Sequence, residues 1–193
     1  MHFTALENDI VLLRPITKED VSEMLAAGSY PEIWPYLSTN IEQESDVHNF
    51  VNKALFAKSQ QKEFPYAIVD KISGEIIGST RFMDIDDNHK RLEIGHTWIT
   101  PAFWRTAINT NCKYLLLQYC FEVLGLQRVQ IKTDQENIRS QKAIERIGAI
   151  KEGVMRNHMI RKDGTPRHTV MYSIILEQWP VVKRQLENLI KKY

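Results

Sequence analysis

The chain has 193 residues, 43% of them hydrophobic and 25% charged, with a formal net charge of +1 at neutral pH. That length carries one domain with a core of its own, so a single domain is expected over residues 1–193, with an appended C-terminal helix at about 177–192. The near-neutral balance supplies no global field for nucleic acid or an anionic membrane, and no apolar run approaches the ~18 residues of a membrane span.

Ile10-Val11-Leu12-Leu13-Arg14-Pro15 reads as a first strand stopped by proline. Thr17 is placed to cap a following helix, with Asp20 near its N-terminus and Val21, Met24, Leu25 and Gly28 at helical spacing. An aromatic and proline-rich loop, Tyr30 to Pro35, precedes a second helix from about Glu42 to Ser59, with Val47, Phe50, Val51, Ala54 and Leu55 on one face. Three alternating segments follow at Phe64 to Val69, Glu75 to Ile85 and Arg91 to Ile99. Turn residues at Lys71 to Gly74 and Asp86 to His89 join them, which predicts an antiparallel meander.

A helix is expected from about Ala107 to Leu124, closed by Gly125, with Ile108, Cys112, Leu115, Leu116, Tyr119 and Val123 as its buried stripe. Cys112 and Cys120 lie on that helix roughly 12 Å apart. A disulfide needs less than about 7 Å, so both read as reduced residues of a cytoplasmic protein. Met1-His2-Phe3-Thr4 has no basic segment leading into an apolar one, so no signal peptide is expected. A strand at Arg128 to Thr133, a short helix at Asn137 to Ile147 closed by Gly148, strands at Ile150 to Ile160 and His168 to Leu176, and an amphipathic helix from Trp179 complete the chain. The order is β-α-α-β-β-β-α-β-α-β-β-α. It gives an α+β class: a central mixed, mostly antiparallel sheet with helices on both faces and a parallel crossover between residues 91 and 133.

The stretch most informative about chemistry runs Glu93-Ile-Gly-His-Thr-Trp-Ile-Thr-Pro101 into Ala-Phe-Trp-Arg-Thr-Ala-Ile-Asn-Thr110. A strand there enters a short loop and then a helix, whose free N–H groups and dipole make an anion site. Any strand–loop–helix junction shares that geometry, so the junction alone leaves an ordinary connection equally open. No helical pair of histidines, nucleophile elbow or Walker loop is present, and no metal is expected.

Several pieces in order resemble one family. Phe121-Glu-Val-Leu-Gly-Leu-Gln-Arg-Val129, Asn137-Ile-Arg-Ser140, Ile144-Glu-Arg-Ile-Gly148, Lys151-Glu-Gly-Val-Met-Arg156, Tyr172-Ser173 and Glu177-Gln-Trp179 are similar to the RimJ/RimL-like branch of the GNAT N-acetyltransferases. The resemblance covers about residues 10–180. It implies the GNAT fold, acetyl-CoA as donor and a primary amine as acceptor. It also implies that Trp104-Arg105-Thr106-Ala107-Ile108-Asn109-Thr110 grips the pyrophosphate, although Ala107 and Asn109 stand where that family has small residues, chiefly glycine. An alanine at 107 is tolerated if its φ is negative and strained if the loop needs a positive φ there.

The same resemblance suggests further roles. Glu93 matches a catalytic carboxylate, and His96 is a second candidate base. On a regular strand the two point to opposite faces, but the family's β-bulge in this strand would bring both to the cleft and free a backbone N–H near Trp98 and Ile99 for the thioester oxygen. Asn137 resembles a ligand of the pantetheine arm and is equally suited to cap its helix. Ile144 stands where many relatives carry a tyrosine acid, so either Ser140 is the substitute proton donor or the thiolate leaves unaided. Lys132, Arg139, Lys142 and Arg146 form a basic cluster suited to the 3′-phosphate.

Trp34 and Tyr36, with Arg156 and His158, are expected near the acceptor, either lining its cleft or as core aromatics and solvated hairpin charges. Glu152 lies on the same strand, and His168 replaces an aspartate usual in the branch. The leading reading is an N-acetyltransferase acting on a protein N-terminus or a small amine; the alternative is a non-catalytic acyl-CoA-binding domain. Neither nucleic acid nor membrane is an expected partner. The C-terminal helix suits packing on its own sheet or across a homodimer.

Overall fold

The computed structural model describes residues 1–192; residue 193, the last of the expected domain, lies outside them. Eight strands form one sheet in the spatial order β1 (Leu6–Glu7), β2 (Val11–Pro15), β3 (Phe64–Asp70), β4 (Ile76–Asp86), β5 (Arg91–Ile99), β6 (Arg128–Asp134), β8 (Pro166–Ile175) and β7 (Ile150–Ile160). Only β5 and β6 run parallel, joined by the expected helical crossover. Every other neighbouring pair is antiparallel. The mixed sheet is therefore as the sequence predicts, apart from the short β1, which pairs Leu6 with Leu13 at the edge.

Two apolar clusters cover the two faces. Helices α1 (Val21–Gly28) and α2 (Glu44–Ser59) bury Met24, Val47, Phe50, Val51 and Ala54 on one face. Helices α3 (Ile108–Gln118), α4 (Ile138–Arg146) and α5 (Trp179–Ile190) bury Cys112, Leu116, Ile144, Val182 and Leu186 on the other. The C-terminal helix thus packs on its own sheet through Trp179, Val182 and Leu186. Thr17 precedes a 3-10 turn, Lys18–Asp20, which leads into α1; its N–H donates to Asp20 Oδ2 at 2.8 Å. Among the described residues no helix is long and apolar enough to cross a membrane.

One expected stripe is corrected. Val123 is 66% exposed. The last turn of its helix is a π-helix, Tyr119–Val123, and the wider turn rotates Val123 outward while Cys120 and Phe121 point in. Gly125 and Gly148 both have positive φ, +61° and +93°, as their positions after helix ends require.

Two departures from regular pairing shape the centre of the sheet. β5 and β6 pair only through Arg91–Arg128, Leu92–Val129 and Glu93–Gln130, although both strands continue, to Ile99 and to Asp134. They part after Glu93. On its other side β5 carries a bulge: Ser79 faces Trp98 and Arg81 faces Gly95, so two steps on β4 oppose three on β5.

Candidate active site

The bulge sits at His96, whose φ is +51°. Its effect is visible in the phase of the strand. Leu92 and Ile94 belong to the cluster under α3, and strict alternation would send Trp98 there as well. Instead Trp98 packs with Trp34 and Phe50 under α1 and α2. Glu93, between Leu92 and Ile94, faces the α1–α2 side, and the His96 ring meets Phe50 of α2 at 5.8 Å. A regular strand would have separated Glu93 and His96; the bulge puts both on one face.

Their environments differ. Glu93 is 7% exposed and stands where β5 and β6 part. Its Oε2 is 2.6 Å from Lys132 Nζ, and Lys132 also holds Asp84 Oδ2 at 2.8 Å. Burial raises the Glu93 pKa against the opposing pull of Lys132. His96 lies in a drier place: burial and the neighbouring Arg81 charge push it down to about 3, and its Nδ1 is buried without a hydrogen-bond partner. Gln130, facing the same side, donates to Asp84 Oδ2 at 3.3 Å and to Glu93 Oε2 at 3.4 Å. The sequence reading had placed Lys132 with the basic residues of α4; the structure turns it toward Glu93 instead. A lysine two residues beyond the glutamate's pairing partner is visible only once the β5–β6 register is known.

Below the bulge, Lys113 of α3 donates from its buried Nζ to Thr97 Oγ1 at 2.9 Å, and Thr97 meets Thr80 at 2.8 Å. Sequence reasoning missed Lys113, because a lysine amid the buried residues of α3 carries no local signal of its partner.

The loop before α3 is built without a glycine. Ala107 has φ −67° and is unstrained; the left-handed residue is Arg105, at φ +63°. Thr106 Oγ1 donates to the Phe103 carbonyl at 2.7 Å, and Trp104 Nε1 donates to the Ile99 carbonyl at 2.7 Å. Arg139 of α4 stacks on Trp104, with its guanidinium carbon 3.8 Å from the ring centroid. The Ile108 N–H donates to Thr106 Oγ1 at 3.3 Å, while the next N–H groups of the first turn of α3 have no helical carbonyl one turn earlier, so the loop offers backbone donors near Arg105 and Arg139. Ile108 and Thr110 are buried, so only their backbone faces this loop; Thr110 Oγ1 accepts from Arg146 at 3.1 Å. Asn109 is half-buried and Lys142 exposed.

Asn137 caps α4, its Oδ1 accepting from Ser140 N–H at 2.9 Å. Ser140 is half-buried one turn into the helix, and Ile144 is core.

On the acceptor side the expected residues separate. Trp34 is corrected to a core residue: it is 2% exposed, rests on Trp98, and donates to the Gly28 carbonyl at 2.8 Å. Tyr36 is half-buried and, with Pro35, Leu37 and Ser38, lines a cavity of about 210 Å³ against the β7–β8 hairpin. Arg156 and His158 flank Asn157, whose φ is +50° in a wide bulge of β7. His168 Nδ1 accepts from the Asn157 N–H at 2.9 Å and holds that bulge. His158 contacts Thr169 Oγ1 at 3.0 Å, while Arg156 is exposed. Glu152 is bound by Arg128 and Ser173 and is held at a pKa of about 2, chiefly by Arg128, so it is not a free site carboxylate. Among the described residues no cluster suited to a metal ion is found, and Cys112 and Cys120 are buried free thiols.

The family model of the acetyltransferase (GNAT) domain matches residues 11–150. The uncharacterized N-acetyltransferase YoaA of Bacillus subtilis (strain 168) is 29% identical over 174 residues, 90% of this chain and 97% of that protein. A GCN5-related N-acetyltransferase from Brucella melitensis is 28% identical in sequence and superposes with a TM-score of 0.92, covering 98% of this chain and 86% of that one. Mycobacterium smegmatis RimJ, solved in complex with CoA-disulfide, shares the fold at 18% identity, with a TM-score of 0.80 over 96% of this chain and 92% of its own.

Proposed function

The chain belongs to the GNAT acetyltransferase family and is an acetyltransferase enzyme, and from that premise we propose that it moves an acetyl group from acetyl-CoA to a primary amine with Glu93 as general base. The acceptor amine belongs to a small molecule or a protein N-terminus, as in the RimJ/RimL-like branch that the sequence motifs resemble. The observation that carries this reading is the buried Glu93 carboxylate at the point where β5 and β6 separate, beside a bulge that reorients the strand.

Acetyl-CoA supplies the activated acyl group. The loop of residues 104–110 fits its phosphates: backbone donors of the first turn of α3, the Arg105 side chain and the Arg139 guanidinium face one region. Asn137 and Ser140, at the start of the helix that follows β6, would hold the pantetheine arm, as the family resemblance implies. Glu93, with its pKa raised by burial, receives a proton from the ammonium acceptor, directly or through one water. The freed amine attacks the carbonyl carbon, the C–S bond breaks, and the departing sulfur takes a proton from Ser140 or leaves as thiolate. A backbone N–H of the bulge near Trp98 receives the developing oxyanion. His96 is the weaker base: with a pKa near 3 it holds no proton from an ammonium group at neutral pH.

Glu93→Gln tests the assignment. Thiol release should fall by about 10²–10⁴-fold, while calorimetric affinity for acetyl-CoA stays within a factor of two. His96→Asn, which tolerates the left-handed backbone, should keep most of the turnover. A large loss in the second variant with little in the first would move the base to His96.

A further inference from the structure

The cavity between the Tyr36 loop and the β7–β8 hairpin has a charge pattern that the transfer chemistry does not use. Three cations line it, Arg161, Lys162 and Arg167, against one carboxylate, Asp134. Asp134 is 1% exposed and fully engaged: Arg161 Nε and Nη2 take its two oxygens at 2.8 and 2.9 Å, and the Glu136 N–H adds a third bond at 2.9 Å. Arg161 is matched in turn by Glu136 at 2.8 Å. The other two cations are held more loosely. Arg167 Nε approaches Asp134 no closer than 3.8 Å, beyond a hydrogen bond, and is buried without a partner. Among the described residues Lys162 Nζ donates to neutral groups, the carbonyls of Trp34 at 3.2 Å and Thr39 at 2.8 Å, with the Glu42 charge farther off.

A guanidinium whose side chain is only 16% exposed, with an unsatisfied donor, is costly unless something arrives to pair with it. Nearby carboxylates on the neighbouring strands are already committed, since Asp84 and Glu93 both bind Lys132. Gln130, Lys132 and Asp134 alternate onto one face of β6, and the first two contact Glu93, so this opening lies on the Glu93 side of the sheet. A polyamine entering here would meet three cations against one lining carboxylate that Arg161 already holds in a fork; a carboxylate would meet the planar, under-bonded donor of Arg167.

We propose that the acceptor is a primary amine that also bears a carboxylate, received by Arg167 with Lys162 in this cavity while the amine faces Glu93. The proposal rests on the transferase reading above and narrows its acceptor. The carboxylate is either the acceptor's own α-carboxylate or an acidic side chain near a peptide N-terminus.

The test uses matched pairs at saturating acetyl-CoA: a free α-amino acid and its amide, and an N-terminal peptide with aspartate or with asparagine at its second position. The acid member should lead by tenfold or more in kcat/KM in at least one pair, and which pair names the source of the carboxylate. Arg167→Gln should bring that ratio close to one, and Arg167→Lys should retain part of it. Equal use of both members by the native enzyme, or preference for spermidine, overturns the proposal. So does a uniform loss in Arg167→Gln, or a rise confined to the KM for acetyl-CoA. If no amine turns over, the transferase reading fails separately, and calorimetry decides the acceptor: the CoA-loaded protein should bind an N-acetylated amino acid at least tenfold tighter than its amide, and equal binding sinks the assignment.

Discussion

Glu93 and His96 are three residues apart on one strand, yet burial acts on them in opposite chemical directions. Removing water disfavours whichever form is charged, so the carboxyl rises and the imidazole falls. Lys132 opposes the rise of the carboxyl, whereas His96 has the Arg81 charge and the Phe50 ring beside it and stays neutral. The loop before α3 shows the same dependence on local detail. The alanine in place of glycine at 107 is harmless because its φ is −67°, and the left-handed position falls on Arg105. A non-glycine residue there carries roughly 1 kcal/mol of strain. Arg105→Gly should therefore raise stability by about 0.5–1 kcal/mol in urea denaturation while weakening acetyl-CoA binding through the lost charge. Ala107→Gly should give no such gain; the opposite order would place the positive φ at 107.

At the scale of elements, the site depends on how β5 is held between its neighbours. The bulge reverses the strand's phase between Ile94 and Trp98, and loss of pairing with β6 beyond Glu93 opens the gap. Gly78 of β4 fixes the far end of this arrangement. A Cβ there would lie 2.2 Å from the Trp98 carbonyl oxygen, and that obstacle is backbone that cannot rotate away. Gly78→Ala should cost about 2–3 kcal/mol and lower turnover together with stability, read by thermal unfolding and thiol release. A variant of unchanged melting temperature would mean that β4 and β5 can slide apart freely. The π turn after α3 makes the complementary point, since one widened turn exchanges Val123 for Phe121 in the core.

For the molecule as a whole, the unusual feature is a lysine between the sheet and its helical layer. Lys113 is 6% exposed, and burial lowers its pKa to about 8, with Thr97 as its hydrogen-bond partner. Below that value the charge is present in both folded and unfolded chains, and its burial is a standing cost. Between about 8 and the ordinary value of 10.5 the folded state loses the proton first, so this contribution to stability rises with pH. Lys113→Met should stabilise the protein by about 1–3 kcal/mol at pH 7, and the gain should shrink as pH climbs toward 10. The difference between the two proteins isolates this group from Cys112 and Tyr66, whose pKa values are raised by burial and act in the opposite sense. A gain independent of pH would show that Lys113 is not buried as a charge.

The sequence by itself determined the order of elements, the meander of β3 to β5, the glycine stops at 125 and 148, and the stripe of α2, because each is written in a period or a turn within about ten residues. The motifs likewise singled out the loop at 104–110, Glu93 and Asn137, on which the proposed mechanism rests. What the tertiary structure decided was partnership. Trp34 became core because Trp98 arrived beneath it once the bulge had shifted the strand. Lys132 turned to Glu93 because two strands run parallel for three residues and then part. Arg167 is kept at 3.8 Å from Asp134 because Arg161 occupies both of its oxygens. Pairings of this kind join residues tens of positions apart, up to the 128 that separate Lys162 from the Trp34 carbonyl. They depend on register and on competition among charges, which no local pattern encodes.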